Sequence, residues 1–213
     1  MKGTILFNDI LEPILSKFFA RAYTLESAFY GIMNQNLMKK NYYIYSTYIK
    51  LLYKGIINNS YQPKTDCNLY RGTKLEKFEI QILKDIIMQK KASKEVPIIY
   101  STSFLSFSTD NKIAFLLGNR RISSSANNTV IIKLRYLKWG DDYKILKTNA
   151  FLKDISAFHS ENEVLFFPFS SFELVNVDEY GNGTLIVLDY SLRFKEKVEN
   201  CGYFNENSYC IIL

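Results

Sequence analysis

Residues 160–169 read Ser-Glu-Asn-Glu-Val-Leu-Phe-Phe-Pro-Phe, and they place two carboxylates, Glu161 and Glu163, at the start of an apolar run. Side chains two residues apart in a strand point to the same face, so this spacing predicts that both acids project together. The apolar and aromatic residues that follow are typical of a buried strand. Two carboxylates at the start of a buried strand repel each other and lose hydration, so a functional role explains them better than a purely structural one. An isolated Glu-x-Glu is more often a solvated strand end, so the rest of the chain has to decide.

The composition predicts a folded domain with a real core. The chain has 213 residues, of which 47% are hydrophobic and 23% charged, and this balance is typical of one globular domain. The net charge of +6 would suit an anionic ligand. The basic residues are scattered among acidic ones, however, so no nucleic acid is predicted as a partner.

Cysteine and histidine usage restricts the chemistry. The cysteines Cys67, Cys201 and Cys210 are too few and too widely spaced for a disulfide scaffold or a zinc site. The single histidine, His159, excludes His-based metal centres and leaves little room for a Ser-His-Asp triad. A metal-free enzyme or a binding protein remains.

The chain shows no targeting signal at its amino terminus. Asp9 and Glu12 interrupt the apolar region that a signal peptide would need. No uncharged apolar window reaches the ~20 residues of a membrane-spanning helix. We therefore expect a soluble, cytosolic protein.

Apolar periodicity predicts helices in the first part of the chain. Helical spacing occurs in residues 9–30 with Asp9 as N-cap, in residues 37–57 with breaks near Gly55 and near Asn58-Asn59, and in residues 75–91. From residue 97 onward the period shifts toward two, which indicates strands. The predicted strands are residues 68–72, 98–102, 130–134, 143–148, 163–167, 172–177 and 184–188.

A short helix over residues 110–117, capped by Thr109 or Asp110, is predicted among these strands. Helices first and strands after are typical of an α+β fold rather than of alternating βαβ units. The predicted organisation is a helical lead (1–60) packed on a core (61–190), followed by a polar tail (191–213).

Two further motifs precede the acidic pair. Tyr70-Arg71-Gly72 closes a predicted strand, and residues 103–109, Ser-Phe-Leu-Ser-Phe-Ser-Thr, lead into the short helix. In this order, with Glu161-x-Glu163, the three motifs resemble the Arg, Ser-x-Ser, Glu-x-Glu signature of the arginine-specific mono-ADP-ribosyltransferases, which include clostridial toxins and vertebrate ecto-enzymes. The resemblance covers residues 69–177, roughly half of the chain.

The resemblance implies a fold and a cofactor. The fold would be an ADP-ribosyltransferase-like split β-sandwich, with two packed, mainly antiparallel sheets around an NAD cleft and an N-terminal helical lead. NAD would be the substrate, and no metal would take part.

The resemblance also assigns roles to the acids. Glu163 would be the catalytic carboxylate, and Glu161 would prepare the guanidinium of an acceptor arginine. Substitution at the nicotinamide ribose passes through an oxocarbenium-like state that a carboxylate stabilises, as in glycoside hydrolysis.

Further roles are implied for the other motifs. Arg71 would anchor the NAD phosphates and ribose, because a guanidinium pairs well with pyrophosphate oxygens. Gly72 would let the backbone approach the nicotinamide amide. Ser106 would hydrogen-bond Glu163 and fix its rotamer. An alternative register takes Ser101 as the motif serine, and we prefer Ser106 because its flanks match the family.

Residues 155–160, Ile-Ser-Ala-Phe-His-Ser, match the acceptor-recognition loop of the family. Phe158 would be its aromatic residue in contact with the protein substrate, although a core Phe at a turn fits the sequence equally well. Phe107 and Phe167 depart from the family pattern, and neither position supplies chemistry. Poly-ADP-ribosyltransferases have a histidine at the position of Arg71, so this residue favours transfer of a single ADP-ribose over polymer formation.

These observations lead to one preferred function and two alternatives. The preferred function is NAD-dependent mono-ADP-ribosylation of arginine on a protein, by an enzyme of the toxin or effector type. The alternatives are an NAD glycohydrolase on the same site and a non-catalytic, membrane-tethered interaction protein.

The sequence ends Cys210-Ile-Ile-Leu, which matches a prenylation box with a Leu that favours geranylgeranyl. One lipid at Cys210 would give only reversible attachment to the cytosolic face of a host membrane. A chance match is the alternative explanation.

Overall fold

The computed structural model describes residues 11–25, 28–39, 41, 43–59, 66–93, 96–120, 127–136, 149–152 and 154–190. Its helices, in chain order, are α1 (Glu12–Thr24), α2 (Ala28–Met38), α3 (Ser46–Asn58), α4 (Lys77–Ser93) and α5 (Asn111–Arg120). Its strands are β1 (Cys67–Glu76), β2 (Ile98–Tyr100), β3 (Leu105–Ser108), β4 (Asn127–Tyr136), β5 (Asn149–Phe151), β6 (Glu163–Phe166), β7 (Ser171–Tyr180) and β8 (Gly183–Tyr190). This composition confirms the predicted α+β class.

Several predicted boundaries were wrong. The helical signal of residues 9–30 falls on two helices, α1 and α2, and Asp9 lies outside the described residues. The helix predicted over 37–57 begins later, because α2 ends at Met38 and α3 starts only at Ser46. The predicted break at Gly55 is absent, and α3 ends at Asn58, where the second break was predicted. Both β1 and β4 extend beyond their predicted ends. The two strands pair with each other along their full lengths, starting with Cys67 opposite Tyr136. The strand predicted at 143–148 lies outside the described residues.

The chain forms two compact units that are discontinuous in sequence. The first comprises residues 1–62, 102–106 and 141–170, and the second comprises residues 63–101, 107–140 and 171–213. The predicted division after residues 60 and 190 stays a prediction.

The first unit is built on close packing between α1 and α3. A Cβ added to Gly55 would lie 2.5 Å from the Ser16 carbonyl oxygen, so only glycine permits this approach. The Tyr48 hydroxyl donates to the Phe19 carbonyl oxygen at 3.0 Å, and burial raises the pKa of Tyr48. The surrounding apolar cluster includes Ala20, Tyr23, Met33, Leu37, Leu52, Ile56, Phe104, Ala150, Leu152, Ile155, Leu165 and Phe167.

The second unit contains a sheet with the strand order β2-β7-β8-β4-β1. The pairings are antiparallel except for β4 with β8, which is parallel. At the C-terminal end of β3, Ser108 lies opposite Tyr70 of β1. Among the described residues, no helix is long and apolar enough to cross a membrane.

Helix α5 begins as the sequence predicted. The Asp110 carboxylate accepts a hydrogen bond from the Lys112 backbone N–H at 2.9 Å, which satisfies one of the free donors of the first turn. The Asp110 N–H itself donates to the Ser108 hydroxyl at 2.9 Å. Of the two predicted caps, Asp110 is therefore the one used.

The backbone of α5 lies against β1 at Gly72. A Cβ at Gly72 would come within 1.8 Å of the Ala114 carbonyl oxygen and 2.6 Å of the Gly118 nitrogen. No side chain fits there without moving the helix backbone, so Gly72 has a packing requirement that the sequence did not indicate.

Gly72→Ala should lower the free energy of unfolding by about 1–3 kcal/mol, because it forces α5 away from β1. Gly31→Ala is the matched control, since nothing lies within 4 Å of a Cβ at Gly31 and alanine is the better helix former. Urea unfolding followed by circular dichroism measures both. A Gly72→Ala variant as stable as the wild type would contradict the packing assignment.

Candidate active site

The Glu163 carboxylate is buried at the first position of β6. Its residue is only 6% exposed, and its Oε2 accepts a hydrogen bond from the Ser156 hydroxyl at 3.2 Å. The Glu163 carbonyl oxygen accepts from the Leu152 N–H at 2.8 Å. The Ser156 bond orients the carboxylate, because a buried carboxylate needs hydrogen-bond donors. The Leu152 bond fixes the backbone that carries it.

The loop that carries Ser156 is tied down at successive residues. The Ser156 N–H donates to the Leu152 carbonyl oxygen at 2.5 Å, and the Ala157 N–H donates to the Thr24 hydroxyl of α1 at 2.8 Å. The Phe158 N–H donates to the Ser156 hydroxyl oxygen at 3.2 Å. Ser156 thus accepts from the loop backbone while it donates to Glu163.

Sequence reasoning missed Ser156 as a site residue. It was part of the quoted loop, but nothing in its spacing from Glu163 indicated a contact. Only the hydrogen bonds of the folded loop make it visible.

The two acids do not lie on one strand, and this prediction was wrong. Glu161 ends a 3-10 helix (His159–Glu161), and Asn162 has φ 46° and ψ 50° in the left-handed region. Asparagine enters that region more readily than most residues. Because the chain is not extended across 161–163, the alternation of faces does not apply. β6 begins only at Glu163.

The environments of the two acids differ. Glu161 is partly exposed, whereas Glu163 is buried. The Glu161 N–H donates to the Phe158 carbonyl oxygen at 3.0 Å, and the Phe158 side chain is 42% exposed. Phe158 is therefore not a core residue, which removes the core alternative for this position.

The serine motif lies on β3 and in the segment before it. Ser106 is a half-buried β3 residue in the first unit, and Ser101, which is buried, follows β2 in the second unit. The choice between Ser106 and Ser101, and the contact of Ser106 with Glu163, stay predictions. The hydrogen bond to Glu163 described above comes from Ser156.

Arg71 and Gly72 are neighbours on β1, in the second unit. Arg71 is half-buried and lies opposite Ile132 of β4. Gly72 faces the α5 backbone as described above, and its approach to nicotinamide stays a prediction. Cys210 lies outside the described residues. Within the described ranges no group of three or more His, Cys, Asp or Glu side chains could hold a metal ion.

Comparison with known proteins identifies the fold. No protein-family model matches this chain, and no curated protein sequence matches it. The ADP-ribosyltransferase Vis from Vibrio splendidus, crystallised with agmatine, superimposes with a TM-score of 0.63 at 15% identity, over 92% of this chain and 80% of Vis.

Two other solved structures give the same result. C3stau2 from S. aureus, solved with NAD, has a TM-score of 0.54 at 15% identity over 89% of this chain and 94% of its own. The toxin Plx2a, an ADP-ribosyltransferase from Paenibacillus larvae, has a TM-score of 0.54 at 17% identity over 82% and 83%. The predicted ADP-ribosyltransferase-like fold is confirmed.

Ser156→Ala should destabilise the protein by about 1–3 kcal/mol at neutral pH, because the buried Glu163 carboxylate loses a donor. Ser170→Ala is the matched control: Ser170 is also buried, and within the described part of the chain its hydroxyl has no hydrogen-bond partner. Urea unfolding of both variants measures the difference. Equal stabilities would show that the Ser156 bond contributes nothing specific.

Proposed function

We propose that this chain is an NAD-dependent mono-ADP-ribosyltransferase that transfers ADP-ribose to arginine of a protein and releases nicotinamide. The observation that carries the proposal is the buried Glu163 carboxylate, oriented by Ser156, on a chain with an ADP-ribosyltransferase fold. Fold alone does not determine function, whereas an oriented carboxylate is a group that this reaction requires.

Glu163 is proposed as the carboxylate that stabilises the reacting ribose. Cleavage of the bond to nicotinamide develops positive charge on the ribose carbon and ring oxygen, as in glycoside hydrolysis. A carboxylate already held in place needs little reorganisation when that charge appears, which is how preorganised electrostatics lower a barrier. The Ser156 hydrogen bond supplies this preorganisation.

Glu161 is proposed as the residue that receives the acceptor. It is more exposed than Glu163 and follows the exposed Phe158, so an approaching protein can reach both. A carboxylate pairs well with a guanidinium through two parallel hydrogen bonds. The complex of Vis with agmatine supports an arginine acceptor, because agmatine carries the guanidinium of arginine.

NAD is proposed as the donor, with Arg71 at its phosphates and Gly72 and Ser106 beside the nicotinamide end. The structure of C3stau2 with NAD supports this donor for the fold. Arg71 is half-buried, and the planar guanidinium of an arginine suits a pyrophosphate because it can form two parallel hydrogen bonds. The toxins among the similar structures support a toxin or effector role.

Glu163→Gln should reduce both nicotinamide release and protein labelling by at least about a hundredfold, because the amide keeps the shape but removes the charge. The measurement is incubation of the purified chain and a cell lysate with NAD labelled in its ADP-ribose part. Glu179→Gln, an exposed glutamate of β7, is the matched control and should label like the wild type. Full labelling by Glu163→Gln would refute the assignment.

Glu161→Gln should separate the two half-reactions. We expect protein labelling to fall at least tenfold while nicotinamide release continues, since water can replace the arginine that Glu161 no longer prepares. The ratio of label to released nicotinamide, read in one reaction, measures this. A parallel loss of both would contradict the division of roles. Nicotinamide release without labelling by the wild type would identify a glycohydrolase.

A further inference from the structure

Helix α1 presents a stripe of large apolar side chains to solvent. Leu11, Ile14, Phe18 and Leu25 are each between 44% and 61% exposed. At the angular spacing of an α-helix, these four positions lie within an arc of about 60°. The stripe therefore forms one continuous apolar face on α1 and its two flanking residues.

The opposite face of α1 already supplies the packing of the first unit. Its buried residues are Ser16, Ala20, Tyr23 and Thr24, which are mostly small or polar. Ser16 lies against Gly55 of α3, and Thr24 accepts the hydrogen bond from the Ala157 N–H. The core side of α1 is completed by Tyr23, which is buried, and by Phe19, whose ring lies 4.9 Å from that of Tyr48. The four residues of the stripe take no part in these contacts, although burying them would release more free energy than burying small side chains does.

The charges beside the stripe are cationic. Lys17 and Arg21 are exposed and lie next to Ile14 and Phe18 along one edge. The single acid of α1 is Glu12, toward the other edge, and it forms an ion pair with Lys54 of α3. Lys50 is exposed one turn before Lys54. An apolar stripe with cations at its edge is typical of helices that lie in a membrane interface.

We propose that the outward face of α1 binds the surface of an anionic bilayer. The helix would lie in the membrane plane, with the four apolar side chains at the acyl boundary and with Lys17 and Arg21 at the headgroups. This inference does not depend on the proposed transferase activity. Together with the proposed transferase activity, membrane binding would place the chain beside acceptor proteins held at the same surface.

A protein partner fits the stripe less well. Four half-exposed side chains on one convex helix offer at most roughly 400 Å², about half of what each partner of a stable interface contributes. The adjoining cations instead match the negative surface of lipids such as phosphatidylserine.

Co-sedimentation of the full chain with vesicles tests the proposal. Vesicles of phosphatidylcholine with about one third phosphatidylserine should bind the chain, and pure phosphatidylcholine vesicles should bind it at least tenfold more weakly. Ile14→Ser with Phe18→Ser should lower the partition coefficient at least tenfold. Lys17→Gln with Arg21→Gln should lower it roughly twenty-five-fold, about fivefold for each cation, and added salt should also weaken binding.

Matched controls lie on α4. Phe78→Ser with Met88→Ser removes two side chains that are each 60% exposed, and Lys77→Gln with Lys91→Gln removes two exposed cations. Both controls should bind as the wild type does. Circular dichroism should show all variants folded, because every changed residue is exposed.

Three results would overturn the proposal. In the first, the wild type binds both vesicle types equally well. In the second, the α4 controls lose as much binding as the α1 variants do. In the third, the wild type binds no vesicles. If the wild type instead self-associates without binding vesicles, Ile14→Ser with Phe18→Ser should abolish the self-association. That result would show that the stripe binds protein.

Discussion

The hydrogen bond from the Ser156 hydroxyl to the buried Glu163 carboxylate is the interaction on which the site depends. Ser156 keeps its position because the loop is bonded to Leu152 and, through Ala157, to Thr24 of α1. The amino-terminal helix therefore helps to fix the carboxylate, although the two are far apart in sequence. A carboxylate held in place in a buried environment suits the role proposed for Glu163, the stabilisation of a cationic transition state.

The sequence predicted those features that depend on local pattern. The α+β order, the Asp110 cap and the start of β6 at Glu163 follow from periodicity and from side-chain capping, and all three are present. The packing requirement at Gly72 was not predictable, because it arises from the backbone of α5, which lies against β1 in the folded chain. The separation of α1 from α2 was also missed, because the residues between them, Leu25-Glu26-Ser27, include no glycine or proline to mark a helix end.

The acidic pair shows why motif geometry needs a structure. An extended chain would aim Glu161 and Glu163 to one face, but the left-handed Asn162 ends that alternation. The acids instead occupy two elements with different exposure, a 3-10 turn and a strand. This arrangement suits two different tasks, one on the ribose and one on an acceptor that arrives from solvent. The contact of Ser106 and the role of Arg71 remain predictions.

The most direct test of arginine-directed transfer uses agmatine as the acceptor. The purified chain, NAD and agmatine are incubated together, and the products are identified by mass spectrometry. The proposed mechanism predicts nicotinamide and ADP-ribosyl-agmatine in equal amounts. Free ADP-ribose as the sole sugar product, or no release of nicotinamide at all, would contradict it.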